Sequence, residues 1–205
     1  MKKIIGIAAL LLVGVSVLYF TVFSSEKRET KVLVFSKTEG FRHESIEPGI
    51  AAIQKLGAKH GFTVEATEDP AVFREEYLKD MSAVIFLNTT GDILDQRQQV
   101  EMERYIQAGG GFVGIHSATD TEYAWPWYGK LVGAYFDGHP SGPNVRTATL
   151  NVVNPNHIST DSLPADWERT DEWYNYKAIN PDNQVLIKID ETTYEGGTNG
   201  DNHPM

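Results

Sequence analysis

Short apolar runs alternate with longer amphipathic stretches from residue 31 to about residue 115. Lys31–Ser36 (KVLVFS), Phe62–Thr67, Ala83–Asn88 (AVIFLN) and Phe112–Ile115 are rich in β-branched and aromatic residues and short enough for strands. Between them Ile46, Ile50, Ile53 and Leu56 recur at helical spacing, with Ser45 as the expected N-cap, Pro48 in the first turn and Gly57 or Gly61 near the stop. Asp69 and Pro70 open a short helix through about Lys79. Leu94, Val100, Tyr105 and Ile106 mark a second long helix that stops at Gly109. This alternation predicts an α/β fold: a mainly parallel sheet, covered on both faces and joined by right-handed crossovers. Phe112–Ile115 has no polar alternation and reads as a strand buried on both faces.

Such a sheet sends the polar loops after its first, third and fourth strands to one edge, where open α/β sheets place their ligand crevices. Those loops are Lys37–Ser45, Thr89–Asp92 and the stretch beginning at His116. His43, Thr89, Asp92 and His116 are thereby brought toward one another. Before His116, Gly109 and Gly110 suit the left-handed turn that closes a helix; after it, Ser117, Thr119 and Asp120 are candidate caps of the next one. A lone histidine in that setting reads equally as a hydrogen-bonded neighbour of a helix cap.

The pattern changes after Asp120. Trp125, Trp127 and Tyr128 cluster around Pro126, and Asp137-Gly138-His139-Pro140 follows an apolar stretch. Aromatics beside polar groups suit a wall for a sugar ring, and they suit a core edge as well. Thr147–Val153 and Gln184–Ile189 read as strands, Asn154–His157 as a turn, and Asp171–Tyr174 as the end of a mixed segment. No internal repeat is present.

Residues 4–23 are apolar and free of charge, with Lys2-Lys3 before them and Glu26-Lys27-Arg28-Glu29 after. A helix of about 20 such residues crosses a bilayer of roughly 30 Å. The segment up to residue 30 is expected to be a membrane anchor or a cleaved signal peptide plus linker. Either exports the domain that starts at Lys31, to a periplasmic or other extracytoplasmic location, with membrane contact through residues 4–23 if uncleaved. The net charge of −10 argues against a nucleic-acid partner and suits a small neutral ligand. The chain has no cysteine, so disulfides, thiolate nucleophiles and Cys-ligated metals are excluded.

Four segments together carry a family resemblance: Gly40-Phe41-Arg42-His43-Glu44-Ser45-Ile46, Gly111–Asp120 (GFVGIHSATD), Gly138-His139-Pro140 and Asp171-Glu172-Trp173-Tyr174. In this order the chain resembles the ThuA-like, trehalose-utilisation proteins from Lys31 onward. The resemblance implies the fold of the class I glutamine amidotransferases, a flavodoxin-like three-layer sandwich. In those enzymes a nucleophilic cysteine occupies the strand-to-helix turn; here the turn reads Gly114-Ile115-His116-Ser117-Ala118. Thiol-dependent glutamine hydrolysis is therefore excluded. Ser117 sits one residue off the nucleophile position and lacks the G-x-S-x-G pattern.

The resemblance further implies carbohydrate metabolism, with relatives linked to sugars oxidised at the 3-position. General acid/base or metal-assisted chemistry on a keto-glycoside, by eliminative cleavage or isomerisation, fits the residues at hand. His116 is the candidate base or metal ligand and His43 its assistant. Asp120 and Glu172 are candidates to orient imidazoles or accept sugar hydroxyls. His43, His116 and His139 are the candidate ligands of a divalent transition metal, although no H-x-x-x-H or H-E-x-x-H spacing occurs. Trp125, Trp127, Tyr174, His139 and Thr89 are candidates for binding a carbohydrate. A non-catalytic, membrane-tethered carbohydrate-binding domain is the alternative. Finally, the resemblance implies a further strand after His203-Pro204, so the chain reads as truncated and His203 as short of support.

Overall fold

Alternation along the first strand, β1 (Lys31–Phe35), sets the architecture. Leu33 and Phe35 turn to one side and Val34 to the other, and all three are fully buried. In the computed structural model, which describes residues 29–205, β1 pairs in parallel with β2 (Thr63–Thr67) and β3 (Ala83–Leu87). Strand β4 (Gly111–Ile115) extends the sheet beyond β3, giving the order β2-β1-β3-β4. The helix α1 (Ile46–His60) covers the Val34 face through Ile50 and Ile53. Against the Leu33/Phe35 face lie Met102 and Tyr105 of α3 (Gln96–Gln107) and Tyr128 of α4 (Pro126–Val132); the short α2 (Glu75–Leu78) adds Leu78. Each large core side chain contributes about 1.5–3 kcal/mol through burial. The mainly parallel α/β sheet covered on both faces is as the alternation predicts. The apolar run at residues 4–23 lies outside the described residues, among which no helix is long and apolar enough to cross a membrane.

Several local expectations change. Ser45 precedes α1 in a helical conformation and makes no side-chain cap; its hydroxyl instead accepts from Asn88 Nδ2 at 2.7 Å. The segment opened by Asp69 splits into a 3₁₀ turn (Pro70–Val72), which Asp69 caps through Ala71 N at 2.9 Å, and α2. Helix α3 starts after Leu94, where Asp95 and Gln98 form a reciprocal capping box, each accepting from the other's backbone N–H at 2.9 Å. Gly109 closes that helix region with φ +97°, as the left-handed turn requires, whereas Gly110 is needed because a Cβ there would lie 2.2 Å from the Tyr105 ring. Strand β4 is the edge of its sheet and Val113 is 45% exposed, so it is not buried on both faces. An unbroken apolar run reports the lack of polar alternation; it does not count the strand's neighbours.

The second half is antiparallel. β5 (Tyr135–Phe136) pairs with β8 (Tyr176–Lys177), and β6 (Val145–Val152) lies between β7 (Asp166–Glu172) and β9 (Ile187–Asp190). Ala148, Leu150, Trp173 and Ile189 make a small separate core. Strand β7 reads DWERTDE, so no apolar pattern announces it; its place comes from its full register with β6.

Candidate functional site

Two neighbouring strands end in left-handed residues, Asn88 after β3 (φ 51°) and His116 after β4 (φ 52°). Asn and His enter this region more readily than most residues, yet each such conformation still costs on the order of 1–3 kcal/mol. Asn88 N donates to the Ile115 carbonyl at 3.3 Å, and Thr119 Oγ1 donates to the His116 carbonyl at 3.1 Å from within the 3₁₀ turn His116–Asp120. The chain therefore turns sharply at the carboxyl end of β4, and the imidazole is held at the sheet edge.

The loop after β1 brings His43 to the same edge. It runs beside the segment after β3, with Thr38 bridged to Thr90 and Gly40 N donating to Thr90 Oγ1 at 3.2 Å. Thr90 Oγ1 in turn donates to the Phe41 carbonyl at 3.0 Å. Glu172, the last residue of β7, arrives from the antiparallel half, its N–H donating to Asp171 Oδ1 at 3.0 Å.

These three side chains converge. His116 Nε2 lies 3.2 Å from His43 Nε2 and 3.1 Å from Glu172 Oε2, and His43 Nε2 lies 3.6 Å from the same oxygen. All three are partly buried. The other Glu172 oxygen, Oε1, accepts from Asn144 Nδ2 and faces His139 Nε2 at 3.6 Å. His139 Nδ1 donates to the Pro140 carbonyl at 2.9 Å, so in the neutral ring Nε2 carries the lone pair. Tyr174 stacks its ring on His116, with centroids 4.2 Å apart, and sets its hydroxyl 3.3 Å from His43 Nε2. His43 Nδ1 lies 3.4 Å from Ser117 Oγ.

Burial lowers the His116 pKa and the neighbouring His43 pushes the same way, against the pull of Glu172. The ring is thereby kept neutral near pH 7, the state a ligand or base requires. Burial also raises the Tyr174 phenol well above its ordinary value, with the Glu172 charge adding to it, so Tyr174 acts as a hydrogen-bond donor.

The other sequence candidates lie elsewhere. Thr89 is fully buried and shares a hydrogen bond with Thr121 Oγ1 at 2.9 Å; Asp92 is exposed. Trp125 is 8% exposed, stacks on Trp127 and Tyr128, and donates Nε1 to Glu103 at 2.9 Å. The Trp pair thus belongs to the core, because the segment around Pro126 is the helix α4, closed by Gly133, and packs its aromatics inward. Asp120 takes the Tyr123 hydroxyl at 2.6 Å and is outside the converging group. Glu172, rather than His139, is the third member of the metal-type cluster.

Sequence reading missed Asn144, Phe136 and the supporting role of His203. His203 is fully buried, its Nε2 donating to the Tyr174 carbonyl at 2.7 Å and its Nδ1 lying 2.7 Å from Glu191 Oε1. Its Pro204 neighbour bridges Lys188, so the residue expected to be short of support is firmly held. The signal for it was a histidine followed by proline in a chain with few histidines.

With the geometry in place, the family model for ThuA, trehalose utilisation, matches residues 31–205. The chain belongs to the ThuA family. This membership ties the ThuA chain to carbohydrate metabolism. It is similar to the crystal structure of a ThuA-like protein from Bacteroides uniformis, with a TM-score of 0.70 and 25% identity over 86% of this chain and 75% of that one. A ThuA-like protein from Parabacteroides merdae shares the fold, with a TM-score of 0.67 and 19% identity over 86% of this chain and 74% of that one. No curated protein matches the ThuA chain.

Proposed function

We propose that the chain acts on an oxidised glycoside, such as a 3-keto sugar, with a divalent transition metal held by His43, His116 and Glu172. The observation that carries this reading is the triangle of donor atoms, with sides of 3.2, 3.1 and 3.6 Å. Ligands at about 2.0–2.1 Å from a tetrahedral metal lie roughly 3.3–3.5 Å from one another. Two neutral imidazoles and one carboxylate leave further coordination positions for substrate. A cation held there would supply Lewis-acid polarisation of a sugar carbonyl.

The protein's own groups supply the rest. His139 presents its Nε2 lone pair as the base for a proton α to the carbonyl, and the proton taken up there faces Glu172 Oε1 at 3.6 Å. Tyr174 sets its ring against His116, with centroids 4.2 Å apart. Ser117 fixes the His43 ring from the far nitrogen. Asp120, at the end of the turn that begins at His116, already accepts from the Tyr123 hydroxyl, and only its second oxygen is offered to a sugar hydroxyl. The apolar run at residues 4–23 supports export of the domain.

A metal-free reading is favoured by one contact, the Tyr174 hydroxyl 3.3 Å from His43 Nε2, which forms an acid/base pair without a cation. Elemental mass spectrometry on the full chain purified without chelator, beside His116→Ala, separates the two. One equivalent of a transition metal, lost in the variant, is the expected result. Absence of metal in both, with turnover of a 3-keto-glycoside retained by the parent, would establish the acid/base reading instead.

A further inference from the structure

Phe41 is 70% exposed, yet its backbone is fixed. Thr90, which is fully buried, binds the loop at Glu39 N (2.8 Å), Gly40 N (3.2 Å) and the Phe41 carbonyl (3.0 Å). Among the described residues the side chain belongs to no core cluster and its one ring neighbour is His43, met edge-on at 4.9 Å between centroids. A single exposed apolar residue on a surface carries no message by itself. Phe41 differs because it begins a continuous line of rings through the site: Phe41 on His43, His43 on His116 at 4.7 Å, His116 on Tyr174 at 4.2 Å, and Tyr174 on Phe136 at 4.2 Å. At the inner end the rings are packed against each other, and at the outer end the face of Phe41 is open.

The charges around this outer end are already matched. Arg42 binds both Glu47 and Glu68, at 2.7 and 2.8 Å, and Lys37 binds Glu39 at 2.8 Å. Lys177 binds Asp137 at 3.1 Å; the Arg146 guanidinium keeps its charge and is held by the carbonyls of Ser141 and Pro143. No cation on the Phe41 loop is left to meet a phosphate, whereas an open aromatic face meets the apolar face of a pyranose.

We infer that Phe41 is the outer stacking platform of the site and determines specificity for an uncharged glycoside with a second ring beyond the one placed at His43, His116 and Glu172. This rests on the carbohydrate reading above and adds the position and charge of the outer ring. Phe41 lies one imidazole away from the converging donors. It therefore touches the leaving-group ring and leaves the reacting ring alone.

The test uses the full chain with three probes: trehalose as a neutral two-ring compound, methyl α-D-glucopyranoside as its one-ring counterpart, and trehalose 6-phosphate. Binding is followed by saturation-transfer NMR for the parent and Phe41→Ala, and by the added indole fluorescence in Phe41→Trp. Expected are a roughly tenfold weaker trehalose affinity in Phe41→Ala, equivalent to about 1.4 kcal/mol, with less than a twofold change for the methyl glucoside. Trehalose 6-phosphate should bind no better than trehalose, and trehalose should shift the emission of Phe41→Trp. An unchanged trehalose affinity in Phe41→Ala, an equal loss for both sugars, or a preference for the phosphate overturns the inference while leaving the carbohydrate reading intact. A parent protein that binds none of the probes also overturns the inference, whereas the oxidised-glycoside reading falls only if the parent fails to turn over a 3-keto-glycoside. An unchanged melting temperature in Phe41→Ala keeps the readout free of folding effects.

Discussion

The four-stranded parallel sheet and the three-stranded antiparallel sheet are built on different physics, and the site draws on both. In the parallel sheet the two central strands, β1 and β3, are apolar, and rings pack on rings: Phe86 touches Phe35, Phe73, Phe112 and Tyr128. In the antiparallel sheet the core is small, with Ala148, Leu150, Trp173 and Ile189, and much of the cohesion comes from polar bonds. His203, Glu191, Asn199 and Asn175 tie loop to strand there, for example through Asn175 Nδ2 to the Gly196 carbonyl at 3.0 Å and Asn199 N to Glu191 Oε1 at 2.7 Å. The parallel half thus supplies a rigid platform with two histidines. The polar half carries the carboxylate and Tyr174 to it.

This contrast breaks first at its strongest point. Phe86→Ala should cost about 3–5 kcal/mol, more than Leu150→Ala in the small core, because four ring contacts disappear into a cavity; urea unfolding followed by circular dichroism measures both, and equal losses would mean the two halves share one core. His203→Ala removes a fully buried ring and takes the imidazole from its partly exposed partner Glu191, and should cost about 2 kcal/mol. It should also weaken metal binding at Glu172 about tenfold through the freed Tyr174 backbone, a change a purely structural loss of stability would not produce in cobalt titrations below the melting temperature.

Saturating transition metal is the third lever. At a hundredfold excess over the dissociation constant it should stabilise the parent by about 2.7 kcal/mol, and His116→Ala should abolish the gain. Calorimetry with and without chelator reads this directly, and an equal gain in the variant would place the metal elsewhere.

The smallest effect concerns Glu122 of the parallel half, whose carboxylate accepts from Ile93 N, Leu94 N and Gln99 Nε2. Burial nonetheless raises its pKa above the usual 4.5. The folded protein then prefers the protonated acid, so this contribution is complete below that value and fades as pH rises through the raised one. The stability of the parent relative to Glu122→Gln should fall as pH is raised from 4.5 toward neutrality. A pH-independent difference in melting temperature would show that the three donors cancel the burial.

The same contrast explains what the sequence alone made legible. Runs such as KVLVF and AVIFL name their own strands because burial on two faces leaves no room for polar residues. His43 and His116 followed from those strands, since parallel topology sends their loops to one edge. Glu172 was visible only through its family segment, because DWERTDE becomes a strand by pairing and not by pattern. The Trp125/Trp127 cluster stayed open between sugar wall and core edge for a related reason: periodicity cannot tell which face of a seven-residue helix and its N-cap meets the core. Phe41 stood only as a member of a family segment and Asn144 carried no signal, as exposure and side-chain reach are properties of the folded surface.

The spacing of the convergent donors has a mechanical consequence. His43 and His116 are 73 residues apart in sequence, and His116 and Glu172 are 56 apart. A cation held by all three would close two long loops and clamp the end of the edge strand β4 to the end of β7. In a chain with no cysteine it would serve as a reversible cross-link, one that a chelator opens and a reductant does not. Resistance to proteolysis would then depend on metal supply, so the same three side chains would govern both the reactivity of the domain and its lifetime.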